Sequence, residues 1–105
     1  MTKYNEFVIY KIYQLKNPDI FYIGSTKNFS SRKSNHKKNC NNRVSKKYNY
    51  PLYQYIRGCG GFNNFVMEIY LKYPCNDKKD GLIKEQEIIN LLNPKLNSIK
   101  AIKNI

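Results

Sequence analysis

Residues 7–15, FVIYKIYQL, are dense in β-branched and aromatic side chains and predict a strand. Lys16-Asn17-Pro18-Asp19 interrupts the run. Proline presets φ there, and Asn and Asp bond to their own backbone, so the segment predicts a turn. Residues 20–25, IFYIGS, resume the β pattern and close an antiparallel hairpin. Gly24 is expected at the end of this second strand, where the backbone lies close to a ligand. Side-chain parity ties the turn to the chemistry. A loop of three or five residues about Asn17 puts Tyr10 and Tyr22 on one face of the hairpin, and an even loop puts them on opposite faces.

The period then changes. Residues 26–39, TKNFSSRKSNHKKN, predict a helix capped by Ser30 or Thr26. Phe29, Arg32 and His36 follow at i, i+3 and i+7 and share one stripe. Phe29 is its only apolar member, so the helix offers a cation and an imidazole toward the hairpin or a cleft. Residues 40–50, CNNRVSKKYNY, read as a polar, basic loop. PLYQYIRGCGG, 51–61, predicts a short helix opened by Pro51 and stopped by the glycines, with Leu52, Tyr53 and Ile56 inward. A third strand is expected around Phe65–Leu71. Residues 79–92, KDGLIKEQEIINLL, predict a last helix whose apolar face carries Leu82, Ile89 and Leu92. Glu85 falls on that face. A carboxylate there is costly unless it is paired or holds a cation.

Length and composition bound what this pattern can be. The 105 residues suffice for one domain with a core from about 7 to 97 and a basic tail, 98–105. No apolar run approaches a membrane span and the first residues lack a signal-peptide core, which predicts an intracellular protein. Cys40, Cys59 and Cys75 are widely spaced and form no CxxC pair, so they read as free thiols in a reducing compartment, not as a zinc site. The formal net charge is +12 and the pI about 9.7, which points to a polyanionic partner, most often nucleic acid. Abundant Lys, Asn, Ile and Tyr match AT-rich codons, as in a viral or mobile-element gene, and that bias accounts for part of the lysine excess. It also makes arginine informative. Arginine occurs only at Arg32, Arg43 and Arg57, and each should do something lysine does not.

Taken singly, these residues have plain explanations: tyrosines that pack, a surface histidine, a solvated arginine, an asparagine in a turn. Their order does not. Val8-Ile9-Tyr10, then Tyr22-Ile23-Gly24, then Arg32 and His36, then Glu85 and Asn97 resembles the GIY-YIG nuclease family over about residues 7–97. RGCGGFNNFVMEI resembles that family's glycine-then-phenylalanine entry to a third strand, and LNPKLN its closing segment. Val8 replaces the first glycine of the motif, at the cost of local backbone freedom only. The resemblance implies an α+β fold, a three-stranded antiparallel sheet flanked by helices. It implies phosphodiester hydrolysis with one divalent metal, Mg²⁺ or Mn²⁺.

The residues suit that chemistry. Glu85 is the one carboxylate on an apolar face, so one metal held by Glu85, phosphate oxygens and waters is the economical arrangement. Tyr10 is then the expected general base, with nearby cations and His36 lowering its pKa or relaying its proton. Arg32 would grip the scissile phosphate and Tyr22 would donate a hydrogen bond near the water or the phosphate. Asn97 would orient Glu85 or a bound phosphate. Arg43, Lys46, Lys47 and Arg57 are the expected nucleic-acid contacts. The partner is duplex or branched DNA, with a homodimer or a separate specificity partner. Two competing readings are a non-catalytic nucleic-acid-binding domain that keeps the nuclease fold, and an RNA-directed domain using surface tyrosines for stacking.

Overall fold

In a computed structural model, residues 4–97 are described. The chain-order elements are β1 (Val8–Gln14), β2 (Phe21–Thr26), α1 (Phe29–Asn41), α2 (Pro51–Gly58), β3 (Phe65–Lys72) and α3 (Lys78–Leu92). Short 3-10 turns at Phe62–Asn64 and Lys95–Asn97 complete them. The three strands form one antiparallel sheet in the order β2-β1-β3. The expected fold class holds. The basic tail, 98–105, lies outside the described residues.

The hairpin turn resolves the parity question. Tyr13 pairs with Phe21 and Tyr10 with Gly24, so the loop is odd and centred on Asn17. Tyr10 and Tyr22 therefore share a face, because Ile12 pairs with Tyr22 and lies two residues from Tyr10 on the same side. Gly24 does not end β2, which continues to Thr26. What lies close to its backbone is the ring opposite. A Cβ built at Gly24 would stand 2.5 Å from the Tyr10 Cζ and Oη atoms. The glycine makes room for the tyrosine. Val8, in place of the motif's first glycine, is simply a buried strand residue.

The sheet buries both faces. On one, Tyr10, Ile12 and Met67 pack with Cys40 of α1, with Leu52, Tyr53 and Ile56 of α2, and with Leu96. On the other, Phe7, Ile9 and Ile23 pack with Cys75 and with Ile88 of α3. The inward residues of α2 are those expected. In α3 the buried positions are Gly81 and Ile88, and Leu82 is 45% exposed. The helix is thus turned by about one residue from its expected face, because the ring of Phe7 fills the space that a side chain at position 81 would need. Gly60 and Gly61 end α2 with φ of 98° and 106°, conformations that L side chains rarely adopt.

The cap of α1 also differs from expectation. Asn28 caps it, its side chain accepting from Ser31 N–H at 3.1 Å. Thr26 and Ser30 do not. Thr26 instead ties the preceding turn, its Oγ1 accepting from Asn28 N–H at 3.1 Å and donating to Asn28 O at 3.2 Å. Arg57 closes the basic segment between α1 and α2. Its Nη1 donates to the Cys40 carbonyl at 2.8 Å and its guanidinium lies 3.6 Å over the ring of Tyr48.

Candidate active site

A cleft of about 450 Å³ opens beside β2 where Gly24 leaves no side chain, between the first turns of α1 and of α3. Tyr10, Tyr22, Arg32 and Glu85 all line it. A hairpin and two helices distant in sequence therefore converge on it.

Tyr10 is the buried anchor, at 1% exposure. Its hydroxyl lies 2.7 Å from His36 Nε2, and His36 Nδ1 lies 2.7 Å from the Tyr53 hydroxyl. The result is a continuous chain from β1 through α1 to α2. A neutral imidazole must donate from one nitrogen and accept at the other, so each tyrosine sees a different function of the ring. His36 is held neutral. Burial, with Arg32 and Lys47 nearby, lowers its pKa to about 4. Burial also raises the Tyr10 pKa well above the ordinary phenol range; Tyr22 adds to this and Arg32 opposes it. Tyr22 is raised too, by burial and then by Glu85, so both tyrosines are protonated near neutral pH.

Arg32, one turn before His36, is exposed at the mouth of the cleft. Glu85, from α3, is half-buried and accepts a hydrogen bond from the Ser25 hydroxyl of β2. The arrangement suits a hard, largely hydrated divalent cation. Glu85 offers one oxygen donor set beside an open cleft, and among the described residues no group of three or more His, Cys, Asp and Glu side chains forms a cage. Glu85 is the residue that would hold such an ion.

Asn97 has a different place from the one expected. Its Oδ1 accepts from Ile23 N–H and its Nδ2 donates to the Ile23 carbonyl, both at 2.8 Å. Both ends of the amide are bonded to the edge of β2. It positions the strand between Tyr22 and Gly24. Arg43, Lys46 and Lys47 lie exposed in the turns between α1 and α2, and Lys47 adds to the positive field at His36. Arg57 stands apart from them, since its guanidinium is engaged with Cys40 and Tyr48. Two residues of the site escape sequence reading. Tyr53 reads as a core residue because its helical face is apolar, and only its hydroxyl marks it out. Ser25 follows the glycine triplet and carries no pattern of its own.

The family model for the GIY-YIG catalytic domain matches residues 6–98. The chain belongs to the GIY-YIG family and carries an endonuclease domain. Nucleases of this family are generally divalent-metal dependent. Among solved structures it is similar to a mutant catalytic domain of the intron endonuclease I-TevI. The TM-score is 0.71 and the identity 24%, over 95% of this chain and 97% of that one. No curated protein matches. Among the described residues no helix is long and apolar enough to cross a membrane.

Proposed function

We propose that this protein is a divalent-metal-dependent DNA endonuclease in which the Tyr10–His36–Tyr53 chain manages the proton of the attacking water. The observation that carries this reading is the placement of Tyr10, Arg32 and Glu85 around one cleft, with His36 bonded directly behind Tyr10.

His36 carries its proton on Nδ1, donated to Tyr53, and turns the Nε2 lone pair toward Tyr10. As water attacks phosphorus, one water O–H bond breaks and a new O–H bond forms at Tyr10. The original Tyr10 proton passes to His36 Nε2. The relay makes Tyr10 the immediate base without a free phenolate, which suits a phenol whose pKa burial has raised. Arg32 is exposed at the cleft mouth and grips the scissile phosphate through its planar fork, where it also stabilises the charge that builds on the equatorial oxygens. Burial is the first cause that disfavours protonation of His36 and the field of Arg32 and Lys47 the second, and a phosphate beside Arg32 offsets the second. Tyr22, held as a phenol, donates to the phosphate or the water. Ser25 keeps Glu85 turned into the cleft. When bound at Glu85, Mg²⁺ or Mn²⁺ supplies Lewis-acid stabilisation of the phosphate and leaving oxygen.

Nicking of supercoiled plasmid, with Mg²⁺ or Mn²⁺ and with EDTA, tests the assignment. Glu85→Ala should abolish metal-dependent nicking and leave DNA binding largely intact. Tyr10→Phe should cost several orders of magnitude, because it removes the oxygen that takes the water's proton. Binding without nicking in the unaltered protein would favour the non-catalytic reading. Full activity of Glu85→Ala would end the metal assignment, and a loss under about tenfold for Tyr10→Phe would place the base elsewhere.

A further inference from the structure

Arg32 and Tyr22 also belong to a second hollow, of about 260 Å³, which Glu85 does not line. Its walls and floor come from Lys47, Tyr50, Leu52, Tyr53 and Leu96. Among the described residues no carboxylate lines it. We infer that this hollow receives an unpaired nucleobase of DNA from the nucleotide next to the scissile phosphate, so that the preferred substrate carries an unpaired nucleotide at the cut, as in a flap, bulge or junction. The inference rests on the reading of Arg32 as the grip on that phosphate.

Continuity with the cleft is the first support. A phosphate held by Arg32 leaves the attached nucleoside at the border of the two hollows. Lys47 also lines the second hollow, which gives the strand a second cation beside Arg32. The second support is the lining. Tyr50 is half exposed, and its ring is held 12° from parallel to that of Tyr53, with centroids 6.2 Å apart. A flat aromatic ring already ordered by a neighbour is a stacking platform that loses little freedom when a base arrives. Leu52 and Leu96 add an apolar floor.

The third support is what the hollow cannot do. Both nitrogens of His36 are bonded to tyrosine hydroxyls, and both ends of the Asn97 amide are bonded to Ile23. His36 is thereby removed as a reader of base edges, and Asn97 keeps only the second hydrogen and second lone pair of an amide already fixed on the strand. The hollow should therefore accept any base and select for its being unpaired, since a base stacked in a duplex cannot enter a concave site without leaving the stack.

The test uses the unaltered protein in EDTA, where cleavage does not proceed, and labelled DNA of one sequence in fully paired and flapped forms. The flap nucleotide at the junction is A, C, G, T or an abasic residue. Fluorescence anisotropy should rank the four bases within about twofold of one another, and the abasic flap about tenfold weaker. The chain has no tryptophan, so Tyr50→Trp supplies a single reporter of stacking. Its emission should be quenched by the flapped DNA and much less by the paired or abasic forms. Equal binding of abasic and natural flaps, or equal quenching by paired and flapped DNA, would overturn the inference and leave the nuclease reading standing. Absence of binding to any of these DNAs would overturn both.

Discussion

His36 is the only histidine in the chain, and its environment makes its proposed part in the mechanism measurable. In the folded protein its pKa is lowered to about 4, with burial the first cause, against about 6.5 in an unfolded chain. Between those two values the unfolded state binds more protons than the native one. Stability should therefore be unaffected by this group above about pH 6.5 and fall as the pH drops toward 4, by on the order of 3 kcal/mol at the lower end. Urea unfolding at a series of pH values should show that slope, and His36→Gln should flatten it. An unchanged slope in the variant would place the acid sensitivity elsewhere. The same residue reports the relay. Its nitrogen-15 shifts should show a neutral ring with the proton on Nδ1 near pH 7. A proton on Nε2 would reverse the proposed direction of transfer and remove Tyr10 as its carrier.

Two elements hold the site in shape, and each gives a separable outcome. Gly24 leaves room within β2 for the Tyr10 ring, and Gly24→Ala forces that ring to move because its Cβ would stand 2.5 Å from the phenol. The displacement is at the oxygen proposed as the base, so kcat/KM should fall by about 100-fold or more. A variant of unchanged activity would mean that the ring position is not limiting. Asn97→Ala acts differently. It leaves the Ile23 N–H and C=O without their side-chain partners on the sheet edge, which should cost about 1–3 kcal/mol by denaturant unfolding. The contrast also explains what the chain pattern could tell. Strands and the α2 face were legible because their apolar periods survive in the sequence, and the Tyr10–Tyr22 face followed from parity once the loop proved odd. The rotation of α3 was not legible. Gly81 is buried under Phe7, and a glycine adds nothing to a hydrophobic pattern. The role of Asn97 was hidden for a similar reason: a turn asparagine and an edge clamp look alike until the strand beside it is known.

At the scale of the molecule, charge is divided along the chain. All seven acidic residues fall before Ile20 or after Met67, and the segment between holds α1, the basic turns and α2. Glu85 reaches the cleft from an acid-containing part of the chain and Arg32 from the acid-free segment, whose Lys47 lines the neighbouring hollow. The boundary between the two parts thus runs through the site: the carboxylate that would hold a cation faces the residues that attract an anion. A DNA strand drawn to the basic segment is steered to a place where a carboxylate meets it. Binding driven by this segment should be strongly salt dependent, with log K falling linearly against log salt. Lys46→Ala and Lys47→Ala should each reduce the magnitude of that slope by about one if each contacts a phosphate. Arg57→Ala should behave otherwise, because its guanidinium is tied to the Cys40 carbonyl and the Tyr48 ring. It should lower thermal stability and leave the slope near that of the unaltered protein. Slopes measured by anisotropy for the three variants separate the two behaviours. A unit loss of slope for Arg57→Ala, with none for the lysines, would move the DNA path from the turns between α1 and α2 to the far end of α2.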